Sequence, residues 1–250
     1  MISGWSADAV RTAEAELMAA LPEGELMARA AAGLAEVAAA RLAERRGTRV
    51  VALVGPGNNG GDTLHAAARL SREGHDVVAV CGDWPVHEAG LAAAEQAGVV
   101  VVGATAGEDA ARAEALSGAD LVLDGVLGIG GRPGLPGEAQ PWVDAIPDDA
   151  YVLAVDLPSG QDPEGEHATA DAVFADETVT FGVPKPVHLL PATEAAVGRL
   201  TVVDIGLTPS GPPAVERVTR DDVAGMWPVP TAGDDKYSRG VLGVVAGGER

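Results

Sequence analysis

The sequence predicts an α/β fold of three layers, with helices covering both faces of a mostly parallel sheet. Three observations carry this. Short apolar runs of strand length alternate with helix-length segments through most of the chain. The hydrophobic period changes from helical to continuous near residue 50. The residues best suited to chemistry fall just after strands. Alternation of this kind builds a parallel sheet enclosed by its own crossover helices.

Each element follows from its own pattern. Residues 7 to 47 read as two helices, with Ala, Leu and Met at helical spacing and Glu and Arg on the other face. Pro22-Glu23-Gly24 is the turn between them. Val50 to Val54 is a continuous apolar run ending in Gly-Pro-Gly, as expected of a strand buried on both faces. A helix then begins near Gly61 and carries Leu64, Ala67, Ala68 and Leu70. Val77 to Val80 is a second strand, Ala89 to Ala97 a helix, Val99 to Val102 a third strand and Ala110 to Leu116 another helix. Leu121 to Leu123 and Val152 to Val155 give the fourth and fifth strands, and Thr178 to Phe181 and Leu200 to Val203 two more. The arrangement is Rossmann-like, with two extra N-terminal helices. Ligands in such sheets sit beyond the carboxyl ends of the strands, where the strand order reverses. Residues 1–207 are expected to form this domain. The proline-rich segment 208–235 reads as a linker, and 236–250, an apolar strand running into glycines, as the incomplete start of a further domain.

Composition narrows the function. Among 250 residues, 37 are acidic and 17 basic, a formal charge of −20. Lysine occurs only at Lys185 and Lys236. A nucleic-acid partner would need a basic face, so none is expected. No uncharged apolar run approaches membrane length, and the first residues lack the layout of a signal peptide, so a cytoplasmic protein with no membrane partner is expected. The single Cys81 makes neither an internal disulfide nor a multi-thiolate metal site. The five histidines show no metal-ligand spacing and read as core or solvated residues; Lys185 reads as a surface residue.

The strongest local signal is Gly55-Pro56-Gly57-Asn58-Asn59-Gly60-Gly61-Asp62, set between a strand and a helix. Glycines there let backbone N–H groups converge on an anion, and the helix N-terminus favours negative charge. Gly55, Gly57 and Gly60 also satisfy G-x-G-x-x-G, with Asp83 after the next strand in the position of a ribose-binding carboxylate. Asp62 beside a diphosphate is unusual: it caps the helix, binds substrate hydroxyls, or has a cation nearby. Asp124, opening Asp-Gly-Val-Leu-Gly-Ile-Gly-Gly, and Asp156, opening Asp-Leu-Pro-Ser-Gly, follow two further strands. Asp62, Asp124 and Asp156 are therefore expected to gather at one sheet edge and to raise one another's pKa unless a cation intervenes. Asn, Asp, Ser and backbone oxygens suit a hard alkali or alkaline-earth ion. The glycine-rich loop 128–134 brings Arg132 within reach of a phosphate. No G-x-S-x-G elbow and no P-loop is present.

Taken together, Gly55–Asp62, Asp124–Gly134, Asp156–Gly160 and Thr180–Pro186 resemble the NAD(P)H-hydrate epimerase family, the YjeF N-terminal domain, over roughly residues 5 to 207. Thr63 stands where that family often has glycine. The tail Lys236–Gly248 resembles the opening of an ADP-dependent NAD(P)H-hydrate dehydratase domain.

The resemblance implies an isomerase of metabolite repair. It would interconvert the R and S epimers of NADH and NADPH hydrated at ring carbon 6, so that a dehydratase can use both. It implies that Asn58, Asn59, Gly60, Gly61 and Asp62, together with Gly128, Ile129, Gly130, Gly131, Arg132, Pro133 and Gly134, hold the dinucleotide. It implies a potassium ion on Asn59, Asp124 and Ser159, Asp156 near the hydrated ring, a homodimer, and coupling to a dehydratase domain. On chemical grounds Asp156 would be the acid/base, its pKa raised by the crowded acidic crevice, assisted by Asp62 or a water. A Rossmann-type NAD(P)-dependent oxidoreductase using Asp83, or a non-catalytic nucleotide-binding module, would be the alternatives.

Overall fold

The computed structural model describes residues 1–103, 109–227, 229–235, 237–238 and 241–243. In chain order the elements are β1 (Ile2–Gly4), α1 (Ala7–Ala20), α2 (Glu25–Arg45), β2 (Arg49–Val54), α3 (Asn58–Arg72), β3 (Asp76–Cys81), α4 (Glu88–Gln96), β4 (Val100–Val102) and α5 (Asp109–Leu116). There follow β5 (Leu121–Gly125), α6 (Gln140–Asp144), β6 (Tyr151–Val155), β7 (Glu177–Phe181), α7 (Pro186–Leu189), α8 (Glu194–Val197), β8 (Arg199–Val203), β9 (Val215–Arg217) and α9 (Arg220–Met226). Residues 3–216 form one compact unit, and residues 1–2 with those from 217 onward form a second.

Seven parallel strands lie in the order β4-β3-β2-β5-β6-β7-β8. The chain runs outward from β2 to β4, then returns to the other flank of β2 with β5. The order therefore reverses between β2 and β5, and Leu53 lies beside Val80 on one flank and Asp124 on the other. Val50, Ala52 and Val54 point into one core with Val10, Leu34, Leu42, Leu64 and Leu70 from α1, α2 and α3. Val51 and Leu53 point into the other with Leu116 and Trp142 from α5 and α6. Burial on both faces is why β2 reads as an unbroken apolar run rather than an alternating one.

Helix α3 starts at Asn58, three residues before the expected Gly61. Two glycines in its first turn argue against helix by propensity, but packing overrides them. A Cβ on Gly60 would stand 2.0 Å from the Gly55 carbonyl oxygen, so the helix can close onto its preceding strand only with glycine there. Gly57, at φ 83°, supplies the left-handed step into the helix.

In the second unit, Thr219 and Asp222 close a capping box on α9, and the N-terminal ammonium lies 2.6 Å from Asp222. The strand expected over 236–248 falls largely on residues outside the described ones, and part of the segment expected as a linker forms β9 and α9.

A buried polar network ties α2 to the sheet. Glu177, fully buried at the start of β7, receives Arg41 at 2.5 and 3.1 Å, the Tyr151 hydroxyl at 2.9 Å and the Thr201 hydroxyl at 2.5 Å. Removing one partner of such a pair leaves an uncompensated buried charge, which costs about 3–5 kcal/mol. Arg41→Ala is expected to lower the unfolding free energy by that amount in urea titration, with an unchanged m-value. A loss below about 1 kcal/mol would mean the network is solvated.

Candidate active site

The first turn of α3 forms one wall. No side chain caps its N-terminus at Gly57, so its leading N–H groups are unclaimed and carry the helix's positive partial charge. An anion is the natural occupant of such a terminus. Asn58 and Asp62 from this turn line a cavity of about 670 Å³, completed by Glu14 and Met18 of α1, Leu26 and Met27 of α2, His65, His87, Phe181 and Ile205.

Asp156 stands at the end of β6 in the left-handed region, at φ 68°, one of two described non-glycine residues with positive φ. That region is uncommon for any non-glycine residue, and the neighbours of Asp156 hold it there. Its carboxylate accepts hydrogen bonds from the Lys185 ammonium at 2.7 Å and the Thr180 hydroxyl at 3.0 Å. Lys185 also donates to the Thr180 hydroxyl at 2.7 Å and the Phe181 carbonyl at 3.2 Å. The His188 ring accepts the Lys185 backbone N–H on Nδ1 at 2.9 Å, so Nε2 carries the proton and donates it to the Asp156 carbonyl at 2.8 Å. All four side chains are buried. Lys185 is thus not a surface residue; it is the counter-charge of Asp156.

The electrostatics follow. Burial pushes the Asp156 carboxyl up, but Lys185, His188 and the Thr180 hydroxyl outweigh it and hold it below the usual carboxylate range. Asp62 goes the other way. Burial raises it well above the ordinary value, the charges of Asp156 and Glu14 add to this, and Lys185 opposes them. Glu14 is likewise raised, by burial and then by Asp156. The expectation that the crowded crevice raises Asp156 is therefore corrected: the Lys185 ammonium holds Asp156 down, and it is Asp62 that is raised.

The three expected aspartates all stand at the carboxyl ends of neighbouring strands, but they are not the set of carboxyls that act on one another. Asp62 and Asp156 interact, but the third carboxyl acting on Asp62 is Glu14. Asp124, fully buried in β5, accepts the Ser159 hydroxyl at 2.6 Å and the Ser159 backbone N–H at 2.8 Å, and burial raises it to about 6. Ser159 also receives the Leu127 N–H at 2.8 Å. Asn59 lies against Gly128, where a Cβ would come within 3.1 Å of its side chain, and its Nδ2 is buried without a partner among the described residues. The loop 128–134 is outside the cavity lining. It is pinned at Ile129 by Arg11, at Gly131 by the Gly128 carbonyl and at Gly134 by the Gly160 carbonyl. Arg132 and Pro133 are exposed. Asp83 forms an ion pair with Arg112, whose side chain is buried. Glu14 carries no motif signal; Lys185 falls inside the Thr180–Pro186 motif, but its sequence context does not reveal its partner.

A doubly covered parallel sheet with charged groups converging at its switch point defines an α/β protein that takes its ligand beyond the strand ends. The chain belongs to the family described as YjeF-related protein N-terminus, whose model matches residues 23–187. It is 45% identical over 252 residues to the bifunctional NAD(P)H-hydrate repair enzyme Nnr of Mycobacterium leprae, covering 97% of this chain and 50% of that protein. It is 42% identical over 226 residues to the NAD(P)H-hydrate epimerase of Clavibacter sepedonicus, covering 87% of this chain and 96% of that one. The chain thus spans about half the length of the first of these relatives. The crystal structure of yeast ynu0, YNL200c, shares the fold with a TM-score of 0.68 at 19% identity, over 97% of this chain and 100% of that one.

The His188 clamp has a pH signature. Burial, then Lys185, lower the ring from 6.5 to about 4, so the folded state refuses a proton that the unfolded state accepts. Stability from this residue is complete above about 6.5 and is lost as pH falls toward 4, up to about 3 kcal/mol in all. His188→Gln, which keeps only the donor to the Asp156 carbonyl, is expected to be destabilised most at pH 7.5. Its deficit relative to wild type should shrink by pH 4.5 in urea titrations at both values. A deficit independent of pH would contradict a neutral buried ring.

Proposed function

We propose that this chain is an NAD(P)H-hydrate epimerase, an isomerase that interconverts the R and S hydrates of NADH and NADPH. The observation that carries the reading is the Asp156 carboxylate fixed on Lys185, acting as a negative charge on an Asp62 that lines the cavity. Family membership and the names of the relatives support it. Ring carbon 6 of the hydrate bears a hydroxyl beside the ring nitrogen. Its inversion needs the hydroxyl to leave as water, pushed by the nitrogen lone pair, and water to return on the other face. Departure needs an acid, and Asp62 holds the proton at the cavity wall. The cationic, planar ring left behind needs a negative charge nearby, and the Asp156 carboxylate supplies it without reorganisation. The uncapped N-terminus of α3 and the 128–134 loop hold the diphosphate and the rest of the dinucleotide.

Potassium is part of the proposal. Asn59, Asp124 and Ser159 would hold it, and they fit: every donor is a hard oxygen, Asp124 is a buried carboxylate with no cationic partner among the described residues, and the Asn59 amide end is orphaned among them, ready to present oxygen when turned. Bound there, the ion supplies positive charge that neutralises Asp124 and steadies the loops beside the diphosphate. No described helix is long and apolar enough to cross a membrane; a cytoplasmic location, a homodimer and coupling to a dehydratase domain complete the reading.

The test is chromatographic separation of R and S hydrates, prepared from heated NADH, with and without this protein and potassium. Faster approach to the epimer equilibrium is expected, and an unchanged rate rejects the function. Asp156→Asn and Lys185→Met are each expected to slow epimerisation by on the order of 10² or more while binding of the dinucleotide persists; wild-type rates in either would remove the pair from the mechanism.

A further inference from the structure

We propose that Glu14, on α1, is the second acid/base of the epimerisation, serving the ring face opposite to the one served by Asp62. This rests on the epimerase reading above and gives work to a residue that no motif marks. Inversion by loss and return of water has two ends: one group must give a proton to the departing hydroxyl, and another must take one from the water arriving behind the ring. A ring tethered through its diphosphate does not turn over in the cavity, so a single carboxyl does not reach both faces.

The structure supplies two such groups from different elements. Glu14 extends from α1, Asp62 from the first turn of α3, and both line the same cavity. Asp124 and Asp156 are each satisfied by protein donors, whereas no described residue donates a hydrogen bond to Glu14 or Asp62. Half-buried carboxyls facing only a cavity are waiting for donors on a ligand, since buried polar groups otherwise find partners within the fold. The charged groups acting on Glu14 are Asp156, Lys185 and Arg11, and Glu14 in turn acts on Asp62. Two coupled carboxyls of this kind settle as one acid and one carboxylate, because each discourages ionisation of the other.

The step then balances. Asp62 protonates the hydroxyl on carbon 6; the C–O bond breaks with its electrons on the departing water, and the nitrogen lone pair forms a C=N⁺ bond. Water on the far face bonds to carbon 6, gives a proton to the Glu14 carboxylate, and the C=N⁺ electron pair returns to nitrogen. The product state, Asp62 ionised and Glu14 protonated, is the starting state for the opposite epimer, and proton exchange with solvent resets it.

The test uses ¹⁸O-labelled water. Each purified hydrate epimer is incubated with wild type, Glu14→Gln and Asp62→Asn, and both epimers are recovered and weighed by mass spectrometry. Wild type should epimerise and label both. Glu14→Gln should lose epimerisation by on the order of 10² or more yet still exchange label into one epimer with retention, and Asp62→Asn should label only the other. If Glu14→Gln epimerises at the wild-type rate, or labels both epimers equally, or, while folded and binding NADPH, labels neither, the assignment is overturned. Should Glu14→Gln fail to unfold cooperatively or to bind NADPH, Glu14→Asp replaces it, with the same face-selective loss expected and the same results overturning it. Absence of epimerisation in wild type would instead remove the epimerase reading, so the two failures are distinguishable.

Discussion

The contact between the Lys185 ammonium and the Asp156 carboxylate is the interaction on which the rest of the site depends. An isolated carboxylate at this depth would take up a proton, and an isolated ammonium would give one up. Together, with the Thr180 hydroxyl shared between them, they stay charged in a region that water does not screen. Every other property of the crevice is set relative to this pair. Asp156 acts on Asp62 and Glu14 as a negative charge, and Lys185 tempers both. The pair holds Asp156 down and leaves Asp62 and Glu14 as the carboxyls that are raised.

Such a pair costs desolvation that its attraction alone does not always return, so its geometry has to be enforced, and the backbone enforces it. Asp156 sits at φ 68° because the chain turns sharply off β6, and the turn is held by its own N–H on the Val179 carbonyl and by its carbonyl on His188. His188 reaches Asp156 while accepting the Lys185 N–H, so one neutral ring locks the backbone of both ion-pair partners. The strand order matters equally. Because β5 and β6 lie side by side, with Asp124 opposite Ala154, the turn after β6 brings Ser159 back to Asp124. The anion, the proton carriers and the candidate cation site thus occupy the ends of neighbouring strands.

Much of this was legible in the sequence, for identifiable reasons. Continuous apolar strands ending in glycine or aspartate give the parallel sheet and place Asp62, Asp124 and Asp156 at its carboxyl edge, because periodicity and turn chemistry are local properties. What stayed hidden was non-local. Lys185, between two prolines, reads as exposed loop, and nothing within several residues announces that its stem is buried and its charge meets a carboxylate 29 positions earlier. Glu14 is indistinguishable by pattern from the other acidic residues of an amphipathic helix; only the docking of α1 on α2 places it at the cavity. The protonation roles were misread for the same reason. Crowding predicts that acidic neighbours raise one another, but which of them yields depends on where the single ammonium falls.

The charge balance of the molecule makes sense in this frame. A chain with formal charge −20 and two lysines is an unlikely-looking host for a dinucleotide, whose phosphates it should repel. In the proposed reading, the site would answer the two demands with different groups. Uncapped N–H groups at the start of α3 would present fixed partial positive charge to an anion without any ionisable side chain, on a turn that Gly57 and Gly60 let close against β2. That leaves the side chains free to be acids. Were the phosphates held by lysines or arginines in this same crevice, those cations would drag Asp62 and Glu14 toward full ionisation, as Lys185 already does to Asp156, and no carboxyl would keep a proton to deliver. Binding an anion through the backbone is therefore the condition that allows carboxyls beside it to remain acids.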